Sequence, residues 1–400
     1  MIYLIVVLCV AALLPMRNVQ TLSGYSVARK NKLSISKRNA SIFLGFLVVF
    51  VFSSIRYGIG TDYFFTYVPG FIVLRNGVYS YTYYEPAFLL LNRICIAISN
   101  NYQVLFAATS LITYGLLFAI IKYYSKFPRY SWLVYFGSSM YFNSLSNIRQ
   151  GIAMMICLLG LEIYVFLSEQ VRNATSNLSR LQRRLTKQRI IVYLAFVVLA
   201  SLFHTSTVVM TVIPILGLIK RVRFKNYIYI VLITIACAVI MNYSGIIQRI
   251  LHIALRFIER YQRYNPSNSI YWSFLLLNTI ILFFMYFIAS QKSGNEANSE
   301  RSLFYFNVQF AAVLVLLFSN VIPWSDRLSR YFMMTQVISV PHFLGLIRKG
   351  KNRNIYSAAI ITLYLAWILF YIFSYGADGC FPYATIFGVD SLYEKGFFGF

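Results

Sequence analysis

The sequence predicts an all-α polytopic membrane protein, and three observations carry that prediction. Mean hydropathy is +0.66, with 59% of residues hydrophobic and only 12% charged, whereas the surface of a soluble domain needs roughly 25% charged residues. Apolar runs of 15 to 22 residues recur along the 400 positions, long enough to cross a hydrocarbon core as helices. The loops between them are short and basic, so the net charge of +25 is accounted for by Lys and Arg held on the cytoplasmic side and calls for no nucleic-acid partner. Together the segments amount to about 11–12 transmembrane or half-membrane helices, in one domain over residues 1–375 with an external tail at 376–400.

Taken in order, segment 1–16 has no small-residue cleavage site and is expected to be a retained span. The loop after it carries Arg17, Arg29, Lys30, Lys32, Lys37 and Arg38, which places that loop in the cytoplasm and the N-terminus outside. Segment 41–56 returns outward and delivers Arg56-Tyr-Gly-Ile-Gly-Thr-Asp62-Tyr63 to the external face. The basic loops 122–129, 168–189, 220–225, 291–301 and 348–353 are then all cytoplasmic, separated by spans at 103–122, 131–145, 148–167, 226–243, 270–290, 301–321, 330–347 and 355–375. Parity requires residues 57–102 to begin and end outside. Their apolar part, Pro86 to Ser99, carries Asn92 and Arg93 in mid-segment and is expected to be interfacial or re-entrant. Parity also requires 190–219 to fold back. Thirty residues make roughly 45 Å of helix, too long for one upright span and short for two, so a hairpin of half-helices is expected near His204.

Under this topology 11 basic residues lie outside, and ten of them are arginine: 56, 75, 93, 149, 249, 256, 260, 263, 327 and 330, with Lys395 the exception. The inner loops use Lys freely. A planar guanidinium grips phosphate oxygens two at a time and tolerates partial desolvation better than an ammonium. The competing explanation is arginines snorkelling to lipid phosphates.

The external side gathers candidate site residues at helix ends: Arg56, Asp62, Glu85 in Tyr-Tyr-Glu-Pro, Arg149 in Ser-Asn-Ile-Arg-Gln-Gly, His204 in Leu-Phe-His-Thr-Ser, and Arg327 and Arg330 in Asp-Arg-Leu-Ser-Arg-Tyr. Arg149 opens a helix, where the macrodipole repels a cation unless an anion is shared with the open amides. His204 sits at an expected helical break, and an ionisable group at membrane depth is costly without a role. Arg249, Arg256, Arg260 and Arg263 recur at helical spacing, which suits an amphipathic helix docked on lipid or acting as a lid. The five cysteines are scattered, with no spacing of a zinc site or disulfide framework. No nucleotide-binding loop is visible and no tight carboxylate cluster to hold a metal, so neither cofactor nor metal is expected.

The ordered set Arg-x-Gly-x-Gly-Thr-Asp-Tyr, Tyr-x-Glu-Pro-x-Phe, Ile-Arg-Gln-Gly-Ile-Ala, Phe-His-Thr-Ser, Arg-Leu-Ser-Arg-Tyr-Phe and the late Phe-Pro-Tyr at 381–383 resembles the EpsG family from about residue 1 to 385. Members resemble Wzy-type exopolysaccharide, capsule and O-antigen polymerases, with an architecture similar to GT-C glycosyltransferases. The resemblance implies a bacterial plasma-membrane enzyme with both termini external, acting on undecaprenyl-diphosphate-linked oligosaccharide at the outer face. It also implies contact with a flippase and a chain-length regulator of the same pathway. Carried over, it marks Asp62, Glu85 and His204 as catalytic candidates, and Arg56, Arg149, Arg327 and Arg330 as contacts of the diphosphate, without ranking the base. Two other readings remain at this point. A flippase of lipid-linked oligosaccharide lacks the expected pair of similar halves, and a membrane O-acyltransferase would lean on His204.

Overall fold

The computed structural model describes residues 2–17, 32–77, 84–173, 179–217, 224–245, 249, 271–290, 300–319 and 324–387. Among them the chain is helical, with no β-strand and a single isolated bridge between Arg56 and Thr385. Within a bilayer each helix satisfies its own backbone, which is why an apolar chain of this kind resolves into helices. Among the described residues six helices are long and apolar enough to cross a membrane, and five more are apolar but shorter. That is the mixture of full and half-length helices expected from the sequence.

The chain divides into two compact units, Met1–Val208 with Ser357–Phe400, and Val209–Tyr356. The first contains α1 (Ile2–Leu13), α2 (Lys32–Ser54), a π-helical turn (Tyr63–Tyr67), α3 (Val68–Arg75), α4 (Pro86–Ile98), α5 (Gln103–Tyr124), α6 (Pro128–Gly137), α7 (Met140–Ser146), α8 (Ile148–Asn173) and α9 (Ser179–Ser201). The expected span 131–145 is two helices, because Ser139 turns the chain with a positive φ of 65° and Ser138 hydrogen-bonds back to the Tyr135 carbonyl at 3.3 Å. Helices α8 and α9 form an antiparallel hairpin in which Tyr164 faces Tyr193 at 5.7 Å and Arg189 donates to the Ser168 hydroxyl at 2.6 Å. Continued upward, that register carries the end of α9 toward the start of α8. His204 and Arg149 thereby both reach Glu85.

The hairpin expected at 190–219 breaks at His204, as anticipated, but its arms are unequal. The first arm continues the basic helix from Ser179, and the second is a 3-10 helix (Thr205–Val212) running into the short α10 (Ile213–Leu216). Crowded β-branched residues and Pro214 disfavour a regular α-helix there.

The second unit contains α11 (Phe224–Tyr243), α12 (Trp272–Ser290), α13 (Glu300–Leu317), α14 (Ser325–Met333) and α15 (Gln336–Leu346), and α16 (Lys351–Tyr375) leads back into the first. The expected span 330–347 is thus split between α14 and α15. Three buried amides join α12, α13 and α15: Gln309 donates to the Asn278 carbonyl oxygens, and Gln336 donates to both Asn278 and Gln309 at 2.9 and 3.0 Å. Such interhelical bonds suit an interior with no water to satisfy an amide. The proposed outer helix with Arg256, Arg260 and Arg263, His252, Lys395, and much of the loops 17–38, 220–225 and 291–301 lie outside the described residues.

Candidate functional site

Glu85 is placed by its neighbour. Pro86 excludes helical geometry from the residue before it, and Glu85 caps α4 in an extended conformation, φ −62° and ψ 150°. The first turn of α4 offers amides without partners, and the end of α9 offers carbonyls without partners. One bond joins them, from the Ala87 N–H to the Leu202 carbonyl at 2.9 Å. This contact fixes the His204 break beside the Glu85 carboxylate.

Around that carboxylate three donors converge. Arg149 Nη1 donates to Oε2 at 2.7 Å, while His204 Nδ1 and the Thr205 N–H approach Oε1, each at 3.3 Å. The side chains are 10% exposed for Glu85, 19% for Arg149 and 23% for His204, so the cluster is sheltered yet open on one side. Burial works against ionisation of Glu85, but the bond from His204 and the charge of Arg149 outweigh it and hold the carboxyl pKa down to about 2. The anion that Arg149 needs at the start of α8 is therefore supplied first by the chain itself. An aromatic cradle completes the setting: the guanidinium lies 5.4 Å from the Tyr84 ring centre and 5.9 Å from that of Phe88.

Tyr67 adds a buried phenol beside Arg149. Burial pushes its pKa up to about 12, with Arg149 pulling against the shift and Asp62 adding to it, so it stays protonated. Asp62 is half-buried, at the cap of the π-helical turn that carries Tyr67. Sequence reasoning passed over Tyr67, and took Tyr84 and Phe88 only as part of the motifs around Glu85, not as site residues. Tyr84 and Phe88 flank Glu85 within one turn, which is a legible signal, whereas nothing local marks Tyr67.

Arg56 belongs to a different cluster. It is 1% exposed, donating to the Ser53 carbonyl at 2.9 Å and to the Ser110 hydroxyl and Leu145 carbonyl at 3.3 Å, with its guanidinium 5.0 Å from the Phe106 ring centre. Ser53 and Leu145 end α2 and α7, so two helix C-termini offset its charge. Arg327 and Arg330 belong to the second unit, on α14: Arg327 is exposed, and Arg330 is buried with its guanidinium 5.1 Å from the Phe274 ring centre. Among the described residues no group of three or more His, Cys, Asp or Glu side chains is placed to hold a metal ion.

A family model described as the EpsG family matches residues 39–173 and 181–385. The chain belongs to the EpsG family. No curated protein and no solved structure matches it. The seven candidate residues of this EpsG-family chain all fall within the matched ranges, as do the breaks and caps that bring Glu85, Arg149 and His204 together. With its apolar helices, this makes it an integral membrane protein of that family.

Proposed function

We propose that this protein is a glycosyltransferase that polymerises undecaprenyl-diphosphate-linked repeat units on the outer face of a bacterial plasma membrane, with both termini external. The observation that carries this reading is one carboxylate shared between an imidazole and a guanidinium. Glu85, held ionised, orients His204 through Nδ1 and leaves Nε2 to accept a proton. An acceptor hydroxyl of the incoming lipid-linked unit attacks the anomeric carbon of the growing chain. Its proton passes to His204, the bond from that carbon to the diphosphate oxygen breaks, and undecaprenyl diphosphate leaves with the electron pair. The charge developing on the leaving group is met by Arg149. Asp62 stands as a second carboxylate near the cluster, able to bind a sugar hydroxyl. The flippase and the chain-length regulator of the pathway are the expected protein partners.

Purified protein given a lipid-linked repeat unit should make a ladder of chain lengths, and His204→Gln should slow ladder growth about 100-fold or more while inserting normally. An undiminished ladder from His204→Gln would remove the histidine from the chemistry. In cells, deletion should leave single lipid-linked units outside the membrane. Accumulation inside would indicate a flippase, and full-length chains lacking acyl groups an O-acyltransferase. Cysteines placed at Ser176 and Ser267 should label from opposite sides of the membrane, and labelling of Ser176 from outside would overturn the orientation.

A further inference from the structure

The segment after the last long helix turns back onto the loop that carries Asp62. Following α16, Gly376, Ala377, Asp378 and Gly379 all adopt positive φ, at 59°, 50°, 56° and 73°. For Ala377 and Asp378 this conformation is costly and persists only where the surroundings over-determine it. The surroundings are four backbone bonds to the loop after α2. Gly60 N–H donates to the Gly379 carbonyl, Thr61 N–H to Asp378, Tyr57 N–H to Ala384 and Ile386 N–H to Ile55, each at 3.0 Å. Tyr383 adds a bond from its hydroxyl to the Phe52 carbonyl and stacks on the Phe52 ring at 3.9 Å, and the Tyr3 hydroxyl donates to the Cys380 carbonyl at 2.5 Å.

The other side of the same loop lies on the junction of α7 and α8. Thr61 donates its N–H to the Ser146 hydroxyl at 3.2 Å and shares a hydroxyl hydrogen bond with it at 2.8 Å. Gly60 has φ 99°, and a Cβ there would stand 2.7 Å from the Ser146 Cα, a backbone atom that cannot step aside. Ser146 is three residues ahead of Arg149, and Thr61 is next to Asp62.

We infer that residues 376–386 are a strap that positions the site, holding the 57–61 loop down on Ser146 and so setting both Asp62 and the start of the Arg149 helix. Gly60, Thr61 and Tyr383 are positioning residues in this scheme. None touches substrate. The effect on chain synthesis rests on the polymerase reading, whereas the seating of the strap does not.

A native reporter exists, because the Cys380 thiol is wholly buried and directed at the Phe142 carbonyl, 3.6 Å away. In full-length protein in native membranes, N-ethylmaleimide modification of Cys380, read by mass spectrometry, should be slow in the wild type. Gly60→Ala, on the opposite side of the contact, should unseat the strap and speed Cys380 modification about 10-fold or more. Gly77→Ala is the control: it has a similar φ of 79° with nothing within 4 Å and should change neither modification nor activity. Gly60→Ala should also lower ladder formation about 10- to 100-fold through misplacement of the site. Should Gly60→Ala fail to accumulate, Tyr383→Phe carries the test: loss of one hydrogen bond should speed Cys380 modification about 5-fold. Cys380 protected in the variant that accumulates overturns the strap. Cys380 exposed with a wild-type ladder overturns the positioning role. A wild type that makes no ladder fails the polymerase reading alone, and the modification rates still decide the strap.

Discussion

Arg56 and Arg149 lie in the same compact unit, and each stands beside a helix end and an aromatic ring, yet their partners differ. Arg56 is enclosed and answered by the carbonyls that close two helices. Arg149 opens a helix, is answered by a carboxylate, and keeps part of its surface accessible. The difference teaches that a buried cation is not in itself a site. What distinguishes the two is the partner: carbonyl dipoles offset a charge permanently, whereas a carboxylate shared with an imidazole makes a group that can respond to a substrate.

The comparison is tested first at Arg56, where the largest effect is expected. Arg56→Gln leaves buried acceptors without donors and should lower stability by about 3 kcal/mol or more, read by thermal unfolding in detergent, with the surviving folded protein close to wild type in specific activity. A stable Arg56→Gln protein that makes no polymer would reverse the two roles. Arg149→Lys should do the opposite. It keeps the charge but loses the fork, so ladder growth should fall about 10- to 150-fold while insertion and melting stay near wild type. A wild-type rate would remove Arg149 from the site.

Glu85→Gln sharpens the comparison further, with an expected loss of about 10-fold in rate, since one charge-assisted bond to His204 weakens. Its pH dependence has a definite sign. The folded carboxyl is depressed from 4.5 to about 2, so its contribution is complete above about pH 4.5 and is lost as pH falls toward 2. Between pH 5 and 9 the wild-type profile should therefore show no limb that Glu85→Gln abolishes, and one that disappears in the variant would mean the carboxyl titrates there. Tyr67→Phe should have the smallest effect, about 5-fold in rate for one polar neighbour of Arg149. No change would leave the cradle to Tyr84 and Phe88.

Much of the fold was legible because it depends on sums over neighbouring residues. Apolar runs marked most of the helices, and Pro86 and the His204 region marked a cap and a break that the structure contains, whereas the basic stretch 179–189, expected as loop, begins α9. Where expectation and structure part, the cause is local geometry that hydropathy does not register: the left-handed Ser139 divides 131–145, and the turn before Gln336 divides 330–347. For the candidate site, helix-end placement singled out Arg149, Glu85 and His204, and the structure sets Glu85 against both of the others.

By itself, then, the sequence determined that this is a helical membrane protein, roughly where most of its apolar helices lie, and which ionisable groups sit at costly positions. These follow from the transfer free energy of short segments, which is nearly independent of what each segment meets. The tertiary structure decided the pairings: that Arg56 is enclosed, that Tyr67 stands behind Arg149, and that a turn near residue 378 seats the loop at residue 60. Each joins positions far apart in the chain through hydrogen bonds and burial. Those depend on which helix ends are brought together, and no local pattern of residues encodes them.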